Sequence, residues 1–206
     1  MRQPFSLPKI YPITDRSLSG QTPNDQLNQL IDAGASFIQL RDKSVSSRDL
    51  FAEAKACVET ARHRGVTLII NDRVDIAIAL SADGVHLGQD DLPPSEARKI
   101  LGDRVIIGYS THSVEQAISA ASLPIDYIAI GPIFATETKP DHEDPVGLDG
   151  ISKVRAAVGN LPIVAIGGIG IAHIHSVLAA GADSVALISA LASNRETYGE
   201  AVQAAA

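Results

Sequence analysis

Cysteine is almost missing from this chain, and its scarcity excludes two architectures at once. A single Cys57 in 206 residues leaves neither a disulfide framework nor a thiolate metal cluster, which fits a reducing, cytoplasmic setting. Aromatic residues are scarce as well, at 4% against 45% for all hydrophobic types. The core is therefore expected to be built from Ala, Val, Ile and Leu, which favours sheet-plus-helix packing over an aromatic-rich β-sandwich. Positive charge is outnumbered, with 17 Lys and Arg against 24 Asp and Glu and a formal net charge of −7. With no basic stripe, a general nucleic-acid binder is disfavoured. Long apolar runs are also lacking: the opening MRQPFSLPKI has no signal-peptide core and no segment approaches a membrane span. The expectation is a soluble cytoplasmic protein folding as a single domain over 1–206.

What the chain does contain is a repeating alternation of short β-branched runs and helical patterns. The clearest unit is 67–91, TLIINDRVDIAIALSADGVHLGQDD. Its first run, 67–70, reads as a strand buried on both faces and ends in Asn71-Asp72. A short helix over 74–80 follows, then a second strand over 84–87 that runs out into Gly88-Gln89-Asp90-Asp91. If the strands are parallel and the crossover right-handed, both acidic ends lie at one edge of one sheet. Asp72 with Asp90 or Asp91 could then share a hard cation, or each could cap a helix.

The same reading places strands at 9–14, 36–40, 104–108, 126–130, 162–166 and 184–188, with helices starting near Thr22, Ser47, Pro93 and Ser113. Eight strands alternating with eight helices is the pattern of a (β/α)₈ barrel of the α/β class, compact at about 26 residues per unit. The segment 131–149, GPIFATETKPDHEDPVGLD, is out of proportion to the other loops and reads as a partly mobile lid.

In such barrels chemistry sits at the C-terminal ends of the strands, and here nearly every end is polar. Strand two offers Gln39, Arg41 and Lys43 at or beyond its end, strand three Asn71 and Asp72, and strand four His86, Asp90 and Asp91. Ser110, Thr111 and His112 follow strand five, and Thr136, Thr138 and Lys139 lie in the long loop. Gly167-Gly168 after strand seven and Ser189 after strand eight occupy the place where barrels bind phosphate through backbone N–H groups. Arg41 and Lys43 alternate along extended chain and point the same way. Together with Lys139 and the acid pair they suit a metal-bound diphosphate, with few protein ligands in the manner of Mg²⁺. Two anion sites imply two substrates, one with a good leaving group. His63, His142, His173 and His175 read as ordinary surface residues, and Cys57 as core.

Six motifs in this order, QLRDK (39–43), NDRVDIAIALSADGVHLGQDD (71–91), GYSTHS (108–113), GPIFATETK (131–139), VAIGGI (164–169) and ALISAL (186–191), strongly resemble the thiamine-phosphate synthase family. The resemblance covers nearly the whole chain. It implies a (β/α)₈ barrel joining the diphosphate of 4-amino-5-hydroxymethyl-2-methylpyrimidine to 4-methyl-5-(2-hydroxyethyl)thiazole phosphate, releasing diphosphate. By position it implies Gln39, Arg41, Lys43, Asn71, His86, Ser110 and Lys139 at the pyrimidine diphosphate. Of these, Arg41, Lys43, Ser110 and Lys139 would carry catalysis. It further implies Asp72 and Asp91 as Mg²⁺ ligands and Thr136, Thr138, Gly168, Ile188 and Ser189 at the thiazole phosphate. The expected partners are these two small molecules, with no nucleic acid and no membrane; no motif specifies an oligomeric state. A related branch, the thiazole tautomerases, shares the histidine at His112 but lacks the acid after the strand-three Asn, which is intact here. A non-catalytic barrel that binds thiamine phosphate is the third reading.

Overall fold

Short runs of β-branched and aliphatic residues, alternating with helices of which several are capped by Ser, Thr or Gly, build the observed architecture. The computed structural model describes residues 6–135, 144–192 and 195–206. The strands are β1 (Ile10–Pro12), β2 (Phe37–Leu40), β3 (Thr67–Asn71), β4 (Gly84–Leu87), β5 (Ile106–Thr111), β6 (Tyr127–Ile130), β7 (Ile163–Ala165) and β8 (Ser184–Leu187). All neighbours pair in parallel, in the order β1-β8-β7-β6-β5-β4-β3-β2. The seam between β1 and β2 closes through the bridge of Ile13 with Gln39 and the Thr14 N–H donating to the Gln39 carbonyl at 2.9 Å. The result is the expected single-domain (β/α)₈ barrel.

The helices are α1 (Arg16–Ser19), α2 (Pro23–Asp32), α3 (Ser47–Arg64), α4 (Val74–Leu80), α5 (Pro94–Leu101), α6 (Val114–Ala120), α7 (Gly147–Val158), α8 (Ile174–Ala179) and α9 (Arg195–Ala204). Helix α1 is an addition to the eight-unit pattern. Thr22, Ser46 and Ser113 cap α2, α3 and α6 by accepting from the backbone N–H three residues on, the arrangement that satisfies an otherwise orphaned donor. Gly65 stops α3 in the left-handed region at φ 68°, a conformation that costs glycine no Cβ clash.

Two expectations need correction. Strand five lies at Ile106–Thr111 rather than 104–108, because Ser110 and Thr111 pair with Ala129 and Ile130 of β6 and the Thr111 hydroxyl donates to the Ala129 carbonyl at 2.9 Å. Polar side chains hid a strand whose end faces the barrel mouth. The aliphatic core also holds only between sheet and helices. The barrel interior is filled by Tyr11, Phe37 and Tyr127 together with Ile13, Ile69 and Val164. Tyr11 packs edge-on against both Phe37 and Tyr127, at centroid distances of 4.8 and 6.1 Å. Small residues at inward-facing positions leave that space. A Cβ on Gly108 would stand 2.1 Å from Tyr127 Cζ, a distance real contacts do not reach.

Part of the proposed lid, 136–143, lies outside the described residues, and with it Thr136, Thr138, Lys139 and His142. Its flanks are described. Gly131-Pro132 is a cis bond, and Ile133 and Phe134 donate to the Gly167 carbonyl at 3.1 and 3.0 Å. Helix α7 begins at Gly147, inside the expected loop.

Candidate active site at the barrel mouth

The C-terminal ends of β2, β3 and β4 bring an acid pair and a lysine together. Asp72 follows β3 in the left-handed region at φ 63°, which Asp tolerates better than most residues. Its N–H donates to the His86 carbonyl at 2.8 Å, extending the β3–β4 pairing by one residue. Asp91 folds back over its own loop, its Oδ2 accepting from the Gly88 N–H at 2.6 Å. The Asp91 carboxyl lies close enough to Asp72 to be affected by its charge. Lys43 Nζ, in the bend after β2, stands 3.1 Å from Asp72 Oδ2.

Neither acid caps a helix. Arg73 holds the N-cap position of α4 and Pro93 that of α5, both without a side-chain cap hydrogen bond. Asp90 is exposed, so Asp91 is the acid that meets Asp72. Burial, and then the neighbouring Asp72 charge, push the Asp91 carboxyl above its ordinary range, against the lowering effect of the Gly88 N–H. Two acids pressed together with one lysine for compensation form a donor set that a hard cation fits, with its other positions left to water or ligand oxygens. Among the described residues there is no group of three or more His, Cys, Asp or Glu that could hold a metal, so only these two carboxylates are offered here.

Beneath the acids, a chain of hydrogen bonds crosses the barrel. The Gln39 amide donates to the Tyr11 hydroxyl at 2.9 Å, Tyr11 and Tyr127 share a 3.0 Å bond, and the Tyr127 hydroxyl meets His86 Nδ1 at 3.0 Å. His86 Nε2 then meets Ser110 Oγ at 2.9 Å. Five strands contribute one residue each to this chain. Both tyrosines are buried, and desolvation pushes their hydroxyls up, so they stay neutral donors and acceptors. Gln39, His86 and Ser110 were read from the sequence; Tyr11 and Tyr127 were missed. Their signal was present in the register, since Gly108 lies opposite Tyr127 and next to His86.

Arg41 is held at two points. Its backbone N–H donates to Thr14 Oγ1 at 3.1 Å, and its guanidinium pairs with Asp15. Asn71, the last residue of β3, stands in register with His86. At the other side of the mouth, Gly168 (φ 68°) follows β7 in a backbone turn so close to the β6 loop that a Cβ would lie 2.5 Å from the Phe134 carbonyl oxygen. Ile188 packs at the edge of the interior cluster, and Ser189 opens a 3₁₀ turn over Ser189–Leu191 after β8. His112 sits apart from the acid pair, with Nδ1 donating to the Gly131 carbonyl at 2.9 Å. His173, read as a surface residue, is exposed and packs against Phe134 at 4.7 Å between ring centroids.

Comparison with known proteins shows the family to which the chain belongs. The family model described as thiamine monophosphate synthase matches residues 10–191. The chain is 45% identical over 184 residues to a thiamine-phosphate synthase of Chloroflexus aurantiacus, covering 89% of this chain and 84% of that one. It is 44% identical over 192 residues to one of Clostridium novyi, with coverages of 93% and 94%. Among solved structures, a thiamine phosphate pyrophosphorylase from Pyrococcus furiosus superposes with a TM-score of 0.85 at 34% identity, covering 96% of this chain and 95% of that one.

Proposed function

The chain belongs to the thiamine monophosphate synthase family, and from that premise we propose how its barrel mouth carries out the condensation that forms thiamine phosphate. It is a transferase. The substrates are the diphosphate of 4-amino-5-hydroxymethyl-2-methylpyrimidine and 4-methyl-5-(2-hydroxyethyl)thiazole phosphate, and the second product is diphosphate. The observation that carries the reading is the meeting of Asp72, Asp91 and Lys43 at three neighbouring strand ends.

In this reading the diphosphate lies over β2 to β4. Asp72 and Asp91 hold Mg²⁺, which when bound supplies positive charge to the diphosphate oxygens. Lys43 and Arg41 reach the same oxygens, and Lys139 and Asn71 complete the set. The carbon–oxygen bond to the diphosphate breaks first, the electron pair leaving with the diphosphate. The aminopyrimidine ring stabilises the methylene cation, and the thiazole nitrogen attacks it. Such a route needs no nucleophile from the protein and no general base; it needs fixed cations where negative charge develops, in a site that excludes water. Ser110, held by His86, and Gln39, held by Tyr11, face the pyrimidine at the buried floor of the mouth. Gly168, Ile188 and Ser189, with Thr136 and Thr138, take the thiazole phosphate. The single buried cysteine and the acidic composition support a cytoplasmic setting for this chemistry. Among the described residues no helix is long and apolar enough to cross a membrane.

The test is to incubate both substrates with and without Mg²⁺ and to measure diphosphate. Release is expected to require Mg²⁺, to stop with EDTA, and to be lost in the double variant Asp72→Ala, Asp91→Ala. Turnover that survives EDTA and both substitutions would overturn the metal assignment. A His112→Ala enzyme is expected to keep synthase activity; full loss there, with metal-independent isomerisation of the thiazole, would favour the tautomerase reading.

A further inference from the structure

We propose that Asp15 is a positioning residue for the reaction, acting through Arg41. It lies at the end of β1, buried to 5% exposure, and each of its carboxylate oxygens has its own task. Oδ1 caps α1, accepting from the Ser17 N–H at 2.9 Å and the Leu18 N–H at 3.3 Å, as well as from the Ser17 hydroxyl. Oδ2 receives the Arg41 guanidinium. The Asp15 backbone N–H is itself tied, donating to Gln26 Oε1 of α2 at 3.0 Å. A carboxylate pinned by a helix start on one oxygen cannot rotate to follow a mobile partner. Arg41 is therefore held where Asp15 puts it, with its backbone fixed by Thr14.

The adjacent charges do not compete for this pairing. Asp42 has partners of its own: its carboxylate accepts from Arg16 Nε at 2.8 Å and from the Ser44 N–H and hydroxyl. Arg16 also pairs with Glu53 of α3. The two successive pairs, Asp15 with Arg41 and Arg16 with Asp42, thus have opposite polarity. Arg16 is shared between two carboxylates, whereas Arg41, just beyond the C-terminal end of β2, pairs with Asp15. A guanidinium has five donors, and Asp15 engages one of its nitrogens, leaving donors for an anion. Holding it in place before the substrate arrives removes ordering cost from binding and keeps its charge aligned with the leaving group.

This inference rests on the assignment of Arg41 to the pyrimidine diphosphate. The alternative is that the pair merely staples the barrel seam, where β1 and β2 share little backbone pairing. Asp15→Asn and Asp15→Ser separate the two, because Asn and Ser both cap helices well while neither supplies the anion that Arg41 faces. In each variant the KM for the pyrimidine diphosphate is expected to rise about tenfold, the scale of a lost hydrogen bond to a charged group, with the KM for the thiazole phosphate within about twofold. The melting temperature is expected to fall in both variants, because Arg41 loses its counterion, so the selective rise in one KM is what separates positioning from stapling. In an Arg41→Met background, Asp15→Asn is expected to add less than about twofold, since the partner it serves is gone. An unchanged KM for the diphosphate in both Asp15 variants, beside an impaired Arg41→Met enzyme, would overturn the proposal. So would losses that multiply independently in the double variant, or parallel shifts in both KM values. An Arg41→Met enzyme with parental constants would instead overturn the Arg41 assignment itself.

Discussion

Asp91 stands beside Asp72 with its carboxyl pushed up by burial and by its neighbour's charge, an arrangement that weakens the metal-free fold. A carboxyl whose pKa is raised by folding binds more protons folded than unfolded between its two values. Stability therefore falls as pH rises through that window and returns on acidification. Asp91→Asn keeps an acceptor for the Gly88 N–H but removes the repulsion. The expected outcome, in thermal melts with EDTA at neutral pH, is a melting temperature about 2 °C above the parent. That gain should shrink as the pH is lowered toward about 4, while Mg²⁺-dependent turnover is lost. A lowered melting temperature at neutral pH would show that the acid pair carries no strain.

Tyr127→Phe removes the middle of the hydrogen-bond chain that joins Gln39 to Ser110. Deleting a buried partner costs about 1–3 kcal/mol, so denaturant unfolding should report a loss of that size. Turnover should fall as well, because His86 loses one of the contacts that orient it toward Ser110. Gly108→Ala is expected to destabilise at least as much, since its Cβ would overlap the Tyr127 ring.

At the opposite end of the barrel, Arg98 of α5 clamps the start of β5. It pairs with Asp126 at 2.9 Å and donates to the carbonyls of Gly102, Val105 and Pro124, while Asp126 accepts from the Ile107 N–H at 2.7 Å. Arg155 of α7 repeats the device with Asp183 and the Ile163 N–H. Arg98→Ala leaves a buried carboxylate without its cation, a loss of about 3 kcal/mol. Both KM values should stay at the parental level, because stability in such barrels resides at this face and chemistry at the other. A selective KM effect would contradict that separation.

Burial, and secondarily the charge of Glu53, push the Cys57 thiol up to about 12. A thiol-specific disulfide reagent near neutral pH should leave the native protein unmodified, and its reaction in denaturant should follow the same midpoint as loss of helical circular dichroism. Modification at native rates typical of a free thiol would show that α3 opens locally.

Much of the fold was legible in the chain. Helix α4 and strand β4 fall where the polarity switches predict, at Val74–Leu80 and Gly84–Leu87, because an abrupt change from aliphatic to polar residues leaves little freedom in where an element ends. Strand β5 was displaced because Ser110 and Thr111 are strand residues with polar side chains, and a hydrophobicity pattern cannot see pairing. Helix α1 was missed because four residues carry no periodicity; its start depends on the Asp15 cap and its end on Gly20.

The eight-unit alternation, the polar strand ends and the acids and bases placed on them can all be read from the chain, since period and composition are local properties. Which of those groups meet depends on how the barrel closes. Closure gave Arg41 to Asp15 across 26 positions of sequence and set Tyr11 and Tyr127 hydroxyl to hydroxyl across 116, whereas the choice of Asp91 over Asp90 was already implied by the family resemblance. Contacts of that span exist because barrel closure brings distant strand ends within a few ångströms, and no local pattern records which side chain lies opposite which.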